Sequence, residues 1–329
     1  MESGFFYPFD TPDQITAAER RQDGLVRDLK QLGGVEVDDR ASLIHFNSTC
    51  LDMIDRSFTI RGGMSNILAL VCTLFGLGGG GFALRMVMPD LLAGKIESPW
   101  IVWIMICVLF TVVTCVLFIA KRTIGQEFFT YTHFPIRFNR KTRMIHVFRH
   151  KGSGGVLSVP WDQAYFHIGK GTLARSLLDL RGHVMDGDKV IDTFAVGNFF
   201  STREPIQQIW KFIVVYMEQG PQALPKDIHI VKSPNVSLKN QFICATSYCN
   251  IFLPIPLIKW VFAALITGMR WVVMKSCREP VWPSEIVAES AIAPDDIYHW
   301  GEPEFSGGPV RDARGEWQAI QARNRRLNK

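Results

Sequence analysis

Six cations crowd the stretch from Arg137 to Lys151. They are Arg137, Arg140, Lys141, Arg143, Arg149 and Lys151, and no acid lies among them. A cluster of one sign suits docking on anionic lipid headgroups or on an acidic protein, because each basic group near an anionic leaflet contributes roughly 1 kcal/mol. Nucleic acid fits poorly, since Phe138 and Phe148 are the only aromatic residues interleaved with these cations.

Other chemistry-bearing residues reduce to ordinary structure. His146 and His150 lie four apart on an extended pattern. That spacing separates them by about 13 Å on a strand, too far for one metal ion. They read as exposed sheet histidines. The stretch Gly169-Lys170-Gly171-Thr172 lacks the first glycine of a phosphate loop and reads as a hairpin turn. Asp186-Gly187-Asp188 is too small for a calcium loop. The seven cysteines include no CxxC pair. The sequence therefore points to no catalytic residue, no metal and no cofactor, and the chain is expected not to be an enzyme.

The elements that position the basic cluster begin with two apolar runs. Residues 62–84 and 98–120 each hold 23 residues without a charge. A bilayer core of about 30 Å needs about 20 helical residues, so each run is long enough to cross it. A two-helix transmembrane hairpin over 62–120 is expected, with 85–97 as its link. Gly76 and Gly80 lie four apart and suit close helix packing. Arg56, Arg61, Lys121, Arg122, Arg137 and Arg140 flank the outer ends. By the positive-inside rule they put the N-terminus and the bulk of the chain in the cytoplasm. In the third apolar segment, 251–274, the only charges are Lys259 and Arg270. They fall on one helical stripe, and the segment within 242–279 lies in the membrane interface, packs on the soluble domain, or spans.

The polar remainder divides by charge and period. Residues 1–63 carry 7 basic and 11 acidic residues. Ile15, Ala18, Gln22, Leu25, Leu29 and Leu32 follow one helical face, so 1–61 reads as a region built on an amphipathic helix. Residues 121–241 carry 17 basic and 9 acidic residues. There Phe134, Ile136 and Phe138 alternate with polar residues, and Val156 to Trp161 is again extended. Leu177 to Leu180 and Val190 to Val196 flank an Asp186-Gly187 turn. A helix over 203–219 follows, closed by Gly220-Pro221. The segment reads as a cytoplasmic antiparallel sheet domain with a terminal helix, a pleckstrin-homology-like layout. Residues 280–329 read as a cytoplasmic tail. The fold class expected is thus an α+β membrane protein. The mean hydropathy of +0.10 averages the apolar runs with this polar body.

The stretch FFTYTHFPIRFNRKTRMIHVFR from Phe128 to Arg149, with Val159-Pro160-Trp161-Asp162 after it, resembles a family of uncharacterised bacterial inner-membrane proteins. Their genes often neighbour type VI secretion genes, including those of toxic effectors. Glu279-Pro280-Val281-Trp282-Pro283 is similar to a later element of that family. The resemblance covers roughly Arg56 to Ile286, with its specificity in the FNRKTR and PWD elements. It implies a multi-pass protein of the bacterial inner membrane. Its implied role is immunity against a co-encoded toxin, or that of a membrane-tethered accessory protein holding an effector or its carrier. The partners expected are the lipid bilayer and a protein. No catalytic residue comes with the family.

Overall fold

The computed structural model describes residues 14–16, 19, 24–56, 58–63, 65, 127–149, 155–170, 177–225, 236–252 and 256–298, with isolated positions between 85 and 121. Strands β1 (Leu43–Phe46), β2 (Cys50–Met53), β3 (Ile136–Asn139), β4 (Met144–Phe148) and β5 (Val156–Pro160) form one antiparallel sheet in sequence order. Strands β6 (Tyr165–Lys170), β7 (Leu178–Asp186) and β8 (Lys189–Phe200) form a second. Asp55 bridges Val196, and the Gly197 N–H donates to the Ile54 carbonyl at 2.9 Å, so the first sheet meets the second just beyond β2.

The β7–β8 turn is tight, with Asp186 paired to Lys189. Gly187 takes a φ of +58° there, which glycine adopts without a Cβ penalty. Helix α1 (Glu204–Gln219) opens with Glu204 and Pro205, an acid at the positive end of the helix dipole and a residue with no N–H to lose. It ends at Gly220, whose N–H bonds the Val215 and Tyr216 carbonyls. Its apolar face enters the core, where Trp210 stacks 4.7 Å from Phe166 and Tyr216 sits 5.6 Å from Phe46.

The first sheet is a meander with a long excursion. Cys50 to Met53 pair residue for residue with Asn139 to Ile136, although Asp52 and Arg137 are 85 positions apart. The excursion is closed at its base. The buried Glu127 carboxylate accepts the Gly62 and Ser65 N–H groups, each at 3.0 Å, and the Ser65 hydroxyl. Helix α2 (Leu238–Phe252) packs on α3 (Pro256–Ser276), and a short α4 (Ser284–Glu289) follows. The end of α3 joins the same base. The Cys277 thiol donates to the Glu127 carbonyl at 3.2 Å, and Arg278 exchanges backbone bonds with Thr130 and Thr132.

Three expectations are corrected. Among the described residues no helix is long and apolar enough to cross a membrane. This overturns the transmembrane fold class and the multi-pass inner-membrane location. The described chain is instead two antiparallel sheets with a few helices. Most of 62–84 and 98–120, with Gly76 and Gly80, lies outside the described residues. The charge count behind the topology has a different physical cause. Arg56 is buried against Asp179 at 2.5 Å, Arg61 is buried and donates to the Tyr131 carbonyl, and Arg137 is buried against Asp52 at 2.7 Å. These cations are internal ties rather than a solvated flank.

The second correction concerns the interfacial stripe of Lys259 and Arg270 on α3, where packing on the rest of the protein is the alternative that fits. Arg270 is 1% exposed and lies inside the protein. It donates to the Gln241 side chain at 2.7 Å and to the Thr59 and Arg61 carbonyls at 3.3 and 2.8 Å. Lys259 is only half-buried. The stripe they share therefore turns toward the protein. Gly62, at a φ of +83°, makes room for this packing, since a Cβ there would stand 2.9 Å from the Arg270 Cα.

The third correction is at the N-terminal region. The described residues from Gly24 to Val35 are extended or turned, not helical. Gly24 bridges His167, and the Leu25 N–H bonds the Phe166 carbonyl at 2.8 Å, so this segment covers the edge of β6. Leu25, Leu29 and Leu32 pack on the core from this irregular path.

Replacing Arg270 by Met keeps the bulk and leaves the Thr59, Arg61 and Gln241 acceptors buried without their donor. Urea unfolding of this variant is expected to show a loss of about 2–4 kcal/mol. Acid also bears on the fold. His133 and His183 are buried, and burial first holds each well below its ordinary 6.5, at about 3. The Arg61 charge adds to this at His133, as His167 and Arg181 do at His183. A group depressed on folding contributes stability above its unfolded pKa and loses it as pH falls. Thermal unfolding should therefore move down steadily as pH drops from about 6.5 toward 3, while pH 7 to 8 changes little through these groups.

Candidate functional site

The FNRKTR and PWD elements meet in the folded chain. Asn139 ends β3, and its side-chain oxygen accepts the Lys141 and Thr142 N–H groups at 3.0 and 3.1 Å, fixing the turn into β4. Arg143 closes that turn with a φ of +54°, a left-handed conformation costly for a side chain with a Cβ. The Trp161 N–H then bonds the Arg143 carbonyl at 2.8 Å, which brings the second element against the first.

The Arg143 guanidinium is the hub. It grips Asp162 with Nε at 2.9 Å and Nη2 at 2.6 Å. It also reaches both oxygens of Glu218 near the end of α1, at 3.2 and 3.1 Å. Glu218 accepts the Trp161 indole N–H at 2.8 Å. Arg27 covers the other part of this group, with its guanidinium 4.5 Å from the Trp161 ring and a 2.5 Å bond to the Ala164 carbonyl. Trp161 itself is buried, against Phe138, Phe166 and Trp210 at 5.6 to 6.1 Å between ring centroids. The charged part stays at the surface. The Arg143 side chain is 40% exposed, Asp162 61% and Glu218 33%.

The bonds set the charge states. Hydrogen bonds to Asp162 and then Glu218 hold Arg143 above its ordinary range. The Arg143 bond holds the Asp162 carboxyl below its ordinary value. Burial pushes Glu218 up, but the bonds from Arg143 and Trp161 outweigh it and leave its pKa lowered. Burial lowers Arg27, opposed by Asp162 and Glu218.

The six cations singled out in the sequence do not form one surface. Arg140, Lys141 and Arg143 share the β3–β4 turn, with Lys141 exposed and Arg140 half-buried beside Gly220. Arg137 is buried, forked to Asp52 at 2.7 Å by two bonds and held 4.8 Å from the Trp282 ring. Arg149 is paired with Asp192 and donates to the Thr193 carbonyl at 3.3 Å. Lys151 lies outside the described residues. His146 is buried rather than exposed, bonded to Ser158 at 2.8 Å, and His150 lies outside the described residues. Among the described residues no group of three His, Cys, Asp or Glu could hold a metal ion.

Sequence reasoning found Arg143, Trp161 and Asp162 as elements and missed what binds them. Glu218 lies 75 positions from Arg143, Arg27 lies 137 from Ala164, and Asp52 lies 85 from Arg137. No local signal links such pairs.

Arg143→Gly relieves the left-handed backbone but loses the fork, whereas Arg143→Ala loses the fork and keeps the backbone cost. Chemical denaturation should therefore rank native above Arg143→Gly above Arg143→Ala, with about 1 kcal/mol between the two variants. Because Asp162 and Glu218 are depressed, their contribution is present at neutral pH and lost as pH falls through the carboxylate range. A Glu218→Gln, Asp162→Asn variant should show a shallower fall of stability there. Set beside known proteins, the chain is matched over residues 109–294 by a family of unknown function, DUF6708. No curated protein and no solved structure matches it significantly. The matched span is more than half of the 329 residues and contains β3 to β8, the four described helices and the whole Arg143–Trp161–Glu218 group. The chain belongs to this family of unknown function.

Proposed function

We propose that the chain is an immunity protein of a type VI secretion locus, which neutralises a co-encoded toxin by binding it rather than by chemistry. The observation that carries the reading is the exposed Arg143–Asp162–Glu218 fork. It is built where the FNRKTR and PWD elements meet and is fixed from below by Trp161. Charged groups held rigidly in place before binding lose little freedom when a partner arrives, and they give orientation and specificity. The fork carries both signs. Asp162 keeps exposed oxygens, and Lys141 stands exposed on the same turn. A protein surface with complementary charges suits such a patch better than a uniformly anionic one.

The test expresses the toxin encoded beside this gene in cells with and without the chain. Survival is expected only with the chain, and killing that is equal in both removes the immunity reading. An Asp162→Lys variant, at native abundance and fold, should lower protection, because it reverses an exposed charge of the fork. An accessory role gives a different result: unchanged self-protection and loss of effector secretion on deletion.

A further inference from the structure

The helical pair α2–α3 presents an apolar face that nothing in the described chain covers. On α3, Val261, Leu265 and Val272 are 57, 61 and 48% exposed. They lie within about 40° of one another at 100° per residue. Arg270, fully inside, falls on the opposite side. Trp260 borders the row at 52% exposed and stacks on Phe242 of α2, 6.1 Å between rings, so the face extends across both helices. At the far end of α3, Phe129 sits beside Ser276 with a left-handed φ of +56° and leaves its ring 74% exposed.

The charge along α2 and α3 has one sign. No Asp or Glu occurs from residue 228 to residue 278, whereas Lys239, Lys259, Lys275 and Arg278 do. Two lysines fold back over tryptophans, Lys259 at 5.3 Å over Trp260 and Lys275 at 4.5 Å over Trp271. A second copy meeting face to face would set like charges together, so self-association does not suit it. Trp260 toward one end of the exposed aliphatic row and the Trp271–Lys275 pair at the other match a helix lying at a lipid surface, while Lys259 belongs to the stripe turned toward the protein. There the indoles sit at headgroup depth and the exposed Lys275 ammonium reaches phosphate.

We propose that the α2–α3 face docks on an anionic lipid surface. Attachment of this kind uses one helix face and needs no crossing helix. It differs from the earlier reading of Lys259 and Arg270 as the lipid-facing stripe. Arg270 is consumed by carbonyl acceptors, and the aliphatic row opposite it is the contact. The inference does not depend on the immunity reading.

The test is co-sedimentation of the full chain with vesicles of phosphatidylcholine alone or mixed with phosphatidylglycerol. Binding is expected to the mixed vesicles and to fall at high salt, where screening shortens to about 3 Å. Val261→Asp and Leu265→Asp should each weaken partitioning about tenfold, since each puts a charge into the row that docking would bury. Val287→Asp on α4, also exposed, should change nothing, and circular dichroism checks that each variant is folded. Native-like binding by Val261→Asp and Leu265→Asp, or no binding of the full chain to mixed vesicles, overturns the proposal. Binding of a synthetic Glu-flanked amphipathic peptide to the chain, with no vesicle binding, also overturns it and assigns the face to an acidic protein helix.

Discussion

The Trp161 indole is the point on which both sheets and the helix depend. Its ring touches Phe138 of the first sheet, Phe166 of the second and Trp210 of α1. Its N–H cannot be left unpaired in such a place without a desolvation cost of about 1–3 kcal/mol. Glu218 supplies the acceptor, and it would itself be costly near this core without the Arg143 fork. Arg143 reaches both Glu218 and Asp162 because the turn holds it at positive φ. The apolar centre thus imposes the indole, the indole imposes the carboxylate, and the carboxylate imposes the arginine. The surface fork is the outer end of a requirement set in the core.

A second constraint runs through the buried arginines. Arg56, Arg137, Arg181 and Arg270 are all within the fold. Arg137 has a carboxylate of its own, and Arg56 and Arg181 share Asp179. Arg270 has neutral acceptors instead, two of them carbonyls in the first residues of the excursion between β2 and β3. Removing either side of such a tie strands the other, so these contacts fix register and entry angles rather than adding bulk stability. Glu127 does the same work from the other end by holding the Gly62 and Ser65 N–H groups. A meander whose β2 and β3 are far apart in sequence needs such closure, because the ends of a long loop must be brought together before the strands can pair.

These ties also explain what could be read from the sequence. Strands β3 and β4 lie where Ile136 and Phe138 alternate with polar residues; the period is local and legible, although Arg137 and Asn139 on the polar face are buried as well. The β7–β8 turn lies at the Asp186-Gly187 pair for a similarly local reason. Strands β1 and β2 are four residues each, and β2 finds its second partner only through the fold, so no local period marks them. The spacing of Leu25, Leu29 and Leu32 is helical, yet pairing at the open edge of β6 prevails over propensity there. For charge, composition reports sign and position but not direction. Arg56, Arg61, Arg137 and Arg270 look alike in sequence to cations facing water, and only their distant acceptors reveal that they point inward. The same loss hid the candidate site. Arg143 and Asp162 were visible as elements, while Glu218 and Arg27 were not.

The inward turn of Arg270 has a consequence for the face opposite. A helix with one cationic stripe and one aliphatic row must bury one and expose the other. Ordinary partition would bury Val261, Leu265 and Val272, because each exposed aliphatic side chain forgoes about 1.5–3 kcal/mol of burial. This chain instead buries the arginine, because the Thr59 and Arg61 carbonyls and Gln241 are placed to receive it. The acceptors therefore decide the rotation of α3 about its axis, and the exposed aliphatic row follows from that choice. An apolar face produced in this way is specified by the fold rather than left over from it.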